Sequence, residues 1–318
     1  MTARKQYIDT ARAILITLVV LGHILNYANP DYSILPYRLA QEVIGAFHMP
    51  AFFLLSGMLT DSGKWRSRGA KAWFIGKAKT LLVPYVFFEC IAVLYKHFAL
   101  GSVTILDGLK CMVTLNCNVG ANWFLPAMFM ACALYWLYIR FPNKMAWAIA
   151  GGVLCIALRF TPAGHVYTVL FRAALGFVFM LAGNLLKDKL TDFKPAKIAA
   201  AFVITAAVAA VYMKFSLGNS FFDGVLRSPV LFLISGICGL YFVLGVSSYV
   251  PWKWPGAVGQ NALTIMGTHQ LLLYTVKSSS SPLYILFMLA LIAAVEAVLI
   301  LVFNRFCPAL VGKGRKDK

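Results

Sequence analysis

IDTARAILITLVVLGH, Ile8 to His23, is the stretch on which the fold turns. It is an apolar run with a cation, Arg12, near its start and an imidazole, His23, eleven positions later. Eleven residues at 3.6 per turn make about three turns, so both side chains face one way, about 16 Å apart along the axis. An ionisable residue inside a membrane-crossing helix is costly and marks a functional site by default. A second apolar run follows and carries FHMPAFFLLSG, Phe47 to Gly57.

Such runs recur to the end of the chain. Hydrophobic residues make up 61% of it and charged residues only 13%, about half the charged share of an ordinary soluble domain. The expected fold is therefore an all-α, polytopic membrane protein, one integral-membrane domain over residues 1–318. No ten-residue alternation of the kind that builds a membrane β-barrel is visible. The first run has Arg4, Lys5 and Asp9 at its start and no small-residue cleavage site after it, so it reads as a retained helix.

Ten spans are predicted, at about 8–28, 40–60, 79–99, 121–139, 145–161, 166–186, 197–214, 228–248, 258–276 and 282–304. The fifth is short and carries Arg159. Charge tests this order. Arg4 and Lys5, the loop with Lys64, Arg66, Arg68, Lys71 and Lys77, the loops with Arg140 and Lys144 and with Lys187, Lys189, Lys194 and Lys197, then Lys253 and the basic tail, all fall on one side. The other loops carry Asp31, Asp107 and Asp223. Both termini are expected in the cytoplasm. The same pattern accounts for the net charge of +18. Nucleic acid is not an expected partner, because no basic face carries interleaved exposed aromatics; membrane lipids are.

Loop 100–120 is weakly apolar and too polar to span, which suits an interfacial or re-entrant segment. Its Cys111 and Cys117 read either as two thiols or as a disulfide. The seven cysteines show no metal-binding spacing, and no metal is expected.

IDTARAILITLVVLGH with its Arg-to-His spacing, FHMPAFFLLSG, GKAKTLLVPY (Gly76–Tyr85), ANWFL (Ala121–Leu125), the stretch from Arg172 to Gly183 and GQNALTIMGTHQ (Gly259–Gln270) together resemble the membrane-bound acyltransferase 3 family. Lys77 and Lys79 stand where arginines are commoner in that family. The resemblance covers nearly the whole chain. It implies an enzyme with ten helices in a bacterial inner membrane. The donor would be acyl-CoA, most simply acetyl-CoA, taken from the cytoplasm, and the acceptor a hydroxyl of a sugar or cell-surface glycan. A related membrane domain is fused to serine racemases; this chain has no racemase domain.

His23 is then the candidate general base, since an imidazole is neutral and able to accept a proton near pH 7. Arg12 must meet an anion: a CoA phosphate, Asp9 three residues earlier, or both. Lys77 and Lys79 suit the same donor mouth, and the rest of the basic loop suits anionic lipid. His48 either orients His23, binds the acceptor or simply packs. Pro50 removes a backbone donor beside it, and Ser56 and Gly57 permit close helix approach. Asn122 is a candidate sugar contact and Trp123 either that or an interfacial anchor. Arg172 and His269 lie within predicted spans and need polar partners. Glu89 and Glu296 are the carboxylates placed well inside spans, available to Arg172 or a His. A transporter of serine or another small polar solute is the rival from another class, and a polysaccharide export factor a third. Against transport, the sequence shows no inverted repeat with paired broken helices.

Overall fold

The computed structural model describes residues 3–141, 143, 147 and 165–313. Among these the fold is helical, with extended pairing confined to an isolated bridge between Ser220 and Val225. Among the described residues, eight helices are long and apolar enough to cross a membrane. They match eight predicted spans, with shifted ends: the second begins at Leu35 and the third at Ala70. The predicted fifth span, 145–161, lies outside the described residues apart from Trp147. The ninth predicted span is interrupted. By contact the chain forms two compact units, one of Met1–Ile44, Lys79–Leu125 and Val246–Lys318, the other of Gly45–Ala78 and Pro126–Gly245.

The first unit is built on α1 (Ala3–Ala28), which buries Ala11, Leu15, Ile16, Val19 and Ile24. Arg12 and His23 thus share one unbroken helix, as their spacing predicts. The start of α2 (Leu35–Met58) belongs here, tied by Gln41 to Asn26 and Asn29. The third span is α4 (Ala70–Lys77), a π-helical turn over Ala78–Leu82, and α5 (Val83–Phe98), with α3 (Ser62–Ser67) just before it. Pro84 explains the π turn. It has no N–H and its ring crowds the carbonyl four residues back, so the regular ladder opens there. Loop 100–120 folds as α6 (Ile105–Val113), whose nine residues span only about 14 Å and cannot cross a bilayer. Thr104 caps it by accepting from Asp107 N–H, and Gly108 lets it sit against Val93 of α5. A 3₁₀ turn, Gly120–Trp123, leads into α7 (Phe124–Arg140).

The predicted ninth span, 258–276, is not one helix. It breaks at Asn261 into short segments, Trp254–Gln260 and Ala262–Thr275. The second, fourteen residues, reaches only about 21 Å. Asn261 causes the break by competing for backbone groups. Its Nδ2 donates to Ala257 O, and its Oδ1 accepts from Asn304 and Lys313. The segment Ala262–Thr275 is buried along most of its length. Gly259 allows the backbone before the break to approach Asp9 of α1.

Numbering on along the chain, the second unit holds α8 (His165–Leu186), α9 (Pro195–Phe215) and α10 (Pro229–Ser248) with the rest of α2, α3, α4 and α7. α2 and α8 cross with backbones in contact: a Cβ on Gly57 would strike the Met180 carbonyl, and one on Gly183 the Leu54 carbonyl. The close approach expected at Gly57 is therefore met by a second glycine. The basic loop is tied down by its own cations. Arg66 donates to Ile139 O at 3.0 and 2.7 Å, and Arg140 to the carbonyls of Arg66 and Arg68. The segments that flank Asn261 are α11 (Trp254–Gln260) and α12 (Ala262–Thr275), and α13 (Pro282–Phe306) follows.

Candidate active site

In the first unit, α12 packs against α1, α5 and α13 and turns three consecutive polar residues, Thr268, His269 and Gln270, into protein rather than lipid. Each finds a different partner. Thr268 donates to Glu296 Oε1 of α13 at 2.6 Å. His269, fully buried, sets its Nδ1 2.6 Å from Ile265 O. A carbonyl only accepts, so the ring proton is on Nδ1 and Nε2 carries the lone pair. That nitrogen has no hydrogen-bond partner among the described residues. Gln270 places its Nε2 2.8 Å from His23 Nδ1. The His23 and His269 rings lie 5.2 Å apart between centroids, tilted by 43°. His23 itself is only partly buried.

Gln270 is held in turn. Its Oε1 accepts the Ala121 N–H at 2.8 Å. Ala121 belongs to the 3₁₀ turn, and that turn is fixed by Glu89 of α5. The Glu89 carboxylate is fully buried and accepts from Asn118 N–H at 2.7 Å, Asn118 Nδ2 at 2.8 Å, Asn122 Nδ2 at 2.7 Å and Val119 N–H at 3.4 Å. Just before it, Leu115 and Cys117 take positive φ, 62° and 30°, a strained conformation that persists only where surroundings impose it. A chain of contacts thus runs from Glu89 through segment 118–122 to Gln270 and His23. Cys111 and Cys117 are thiols, and Cys117 directs its Sγ to Tyr85 Oη at 3.8 Å.

The other predicted residues fall as follows. Arg12 pairs with Asp9, Nη1 to Oδ1 at 2.9 Å, and Asp9 Oδ2 accepts from Gln260 Nε2 at 2.9 Å. The Arg12 side chain is still 39% exposed, so the ion pair leaves it accessible to an anion. Lys79 is exposed, within the π turn. Lys77, in the second unit, lies with its ammonium 4.4 Å above the Trp65 ring. Asn122 is fully buried with its amide on Glu89, and Trp123 is buried against Phe124. In the second unit, Arg172 donates to the carbonyls of Phe221 and Phe222. His48 is partly buried near the midpoint of α2, because that helix begins before Ala40. Glu89 and Glu296 take amide and hydroxyl donors, where the sequence reading offered them Arg172 or a His.

Gln270 was missed as a site residue. Its signal was position alone, next to His269 on a helix too polar to face lipid. Among the described residues no group of three His, Cys, Asp or Glu side chains is placed to hold a metal ion.

The family model described as an acyltransferase domain matches residues 5–303. Nodulation protein NolL of Sinorhizobium fredii is 32% identical over 160 residues, 47% of this chain and 41% of that protein. Nodulation protein NolL of Mesorhizobium japonicum is 29% identical over 185 residues, 54% of this chain and 46% of that protein. The chain thus spans less than half the length of the curated relatives it matches. No solved structure gives a significant match.

Proposed function

The chain belongs to the family that this acyltransferase-domain model defines, and on that premise we propose that it is a multi-pass membrane enzyme moving an acyl group from acyl-CoA to a hydroxyl. The acyl group is most simply acetyl and the acceptor a sugar or cell-surface glycan. The enzyme sits in a bacterial inner membrane with both ends of this chain in the cytoplasm. The observation that carries the chemistry is His23, partly exposed on α1 and held at Nδ1 by the buried, anchored amide of Gln270. A transport path needs polar residues, but it does not need an imidazole held by an anchored amide.

His23 takes the proton of the acceptor hydroxyl as that oxygen attacks the thioester carbonyl. The tetrahedral intermediate collapses, the C–S bond breaks, and the CoA thiolate recovers the proton from the imidazolium. Exposed Arg12 and Lys79 are proposed to meet donor phosphates at the cytoplasmic face. Lys77, lying on Trp65, is set aside from that role. The neighbouring Asp9 limits the flexibility of Arg12 without hiding it.

The test is release of free CoA thiol from acetyl-CoA by purified protein, with and without a panel of sugar acceptors. Acceptor-dependent release is expected, falling about 10²-fold or more in His23→Ala. Undiminished release by that variant removes His23 from the mechanism, and no acceptor-dependent release by the wild type removes acyl transfer to sugars.

A further inference from the structure

We propose that Gln270 is a positioning residue that holds His23 uncharged with its ring proton on Nε2, so that Nδ1 is the nitrogen that receives the acceptor's proton. This rests on the reading of His23 as the proton-handling residue. The argument begins with an obligatory donor. The buried Ala121 N–H needs an acceptor, and Gln270 Oε1 supplies it at 2.8 Å. That contact fixes which end of the amide faces His23. Gln270 Nε2 is a donor only, and it lies 2.8 Å from His23 Nδ1. Nδ1 must therefore accept, and the neutral ring carries its hydrogen on Nε2.

Turning the amide over would set its NH₂ against the Ala121 N–H and leave that buried donor without its acceptor. An imidazolium would set N–H against N–H at Nδ1. Glu89 makes the arrangement stiff, because it holds Asn118, Val119 and Asn122 on both sides of Ala121. In the neutral ring the one lone pair able to take a proton is the one Gln270 covers. The acceptor hydroxyl then takes the place of the Gln270 N–H on Nδ1, and the amide keeps that nitrogen satisfied between turnovers.

Gln270→Glu inverts the logic at constant size. One carboxylate oxygen keeps the Ala121 N–H, and the other accepts a proton-bearing Nδ1. The ring hydrogen moves to Nδ1, and the imidazolium gains an opposite charge at hydrogen-bond distance. Other titratable groups on helices tied to α1 include His269 and Tyr274 of α12, Tyr284, Glu296 and Arg305 of α13, and Tyr37, Arg38, Glu42 and His48 of α2, with Tyr7, Asp9, Arg12 and Tyr27 on α1 itself. Of these, His269 makes ring contact with His23, and all stay the same across the variants.

Two measurements test the proposal on the intact protein in detergent. In ¹⁵N-histidine spectra, with His23 assigned by its loss in His23→Ala, wild-type Nδ1 is expected unprotonated, and Gln270→Glu is expected to protonate it. In pH profiles of kcat/KM the acidic limb should rise by about 1–3 pH units in Gln270→Glu, since a nearby opposite charge favours the protonated ring. Gln270→Leu, which removes the donor without adding charge, should fall between the two. A wild-type Nδ1–H, or acidic limbs that superimpose, overturns the proposal. The spectra need no turnover, so an active His23→Ala would end the catalytic reading while leaving the protonation result to stand by itself.

Discussion

Replacing Glu89 by leucine should dismantle the site from behind. Leucine fills nearly the same volume but accepts nothing. Asn118 N–H, Val119 N–H and Asn122 Nδ2 then lose the partner they have at 2.7, 3.4 and 2.7 Å. Asn118 Nδ2 keeps only Gly108 O. A buried donor left unsatisfied costs about 1–3 kcal/mol, so three cost about 3–9 kcal/mol, comparable with the whole stability of many domains. The cheaper response is local: segment 118–122 moves toward water, and the Ala121 N–H leaves Gln270. At about 1.4 kcal/mol per factor of ten, even the low end opens the segment more than about 10²-fold more often. Amide hydrogen exchange over 115–123 should rise by at least that factor, with acyl transfer falling in step. Glu89→Gln should be far milder. Asn122 Oδ1 has no hydrogen-bond partner among the described residues. Reversing the Asn122 amide lets that oxygen accept from the NH₂ of the new glutamine, while the single glutamine oxygen keeps Asn118, and only the long Val119 contact is lost. Glu89→Leu with wild-type exchange and turnover would refute the linkage from Glu89 to His23, and Glu89→Gln as damaging as Glu89→Leu would refute the amide reversal.

Arg12→Ala and Lys79→Ala should each weaken acetyl-CoA binding about tenfold, since one contact to a charged group contributes about 1.5–3 kcal/mol. Calorimetric titration measures it, and unchanged affinity in both moves the donor phosphates elsewhere. Gly57→Leu should lower the thermal unfolding midpoint in detergent, because any Cβ there meets the Met180 backbone and forces α2 from α8, an overpacking cost of about 1–3 kcal/mol or more. An unchanged midpoint would mean that the helices do not cross at that glycine.

Which parts of this were readable in advance follows from the range of the forces involved. Burial of apolar runs is local in sequence, so eight spans and the Arg12–His23 helix could be read directly. The ion pair of Asp9 with Arg12 is also local, one helical turn. The contacts that make a site of His23 are not. Gln270 meets it from 247 positions away, and Ala121 meets Gln270 across 149. One of those partners is a backbone N–H, which any residue but proline supplies and which leaves no mark in the sequence. Arg172 was sought a carboxylate for the same reason and found two carbonyls instead. The ninth segment shows the limit from the other side. A window of average hydropathy passes over a single asparagine, yet Asn261 divides the span because its side chain competes with the backbone at the point where Asn304 and Lys313 can reach it. The division has a chemical consequence. A lipid-facing helix could not carry Thr268, His269 and Gln270 in a row without stranding some of them in hydrocarbon. A short helix enclosed by α1, α5 and α13 can, and each of the three then has a protein group within reach. The polar triplet is therefore sustained by protein contacts, on a segment that is by itself too short to cross the hydrocarbon core.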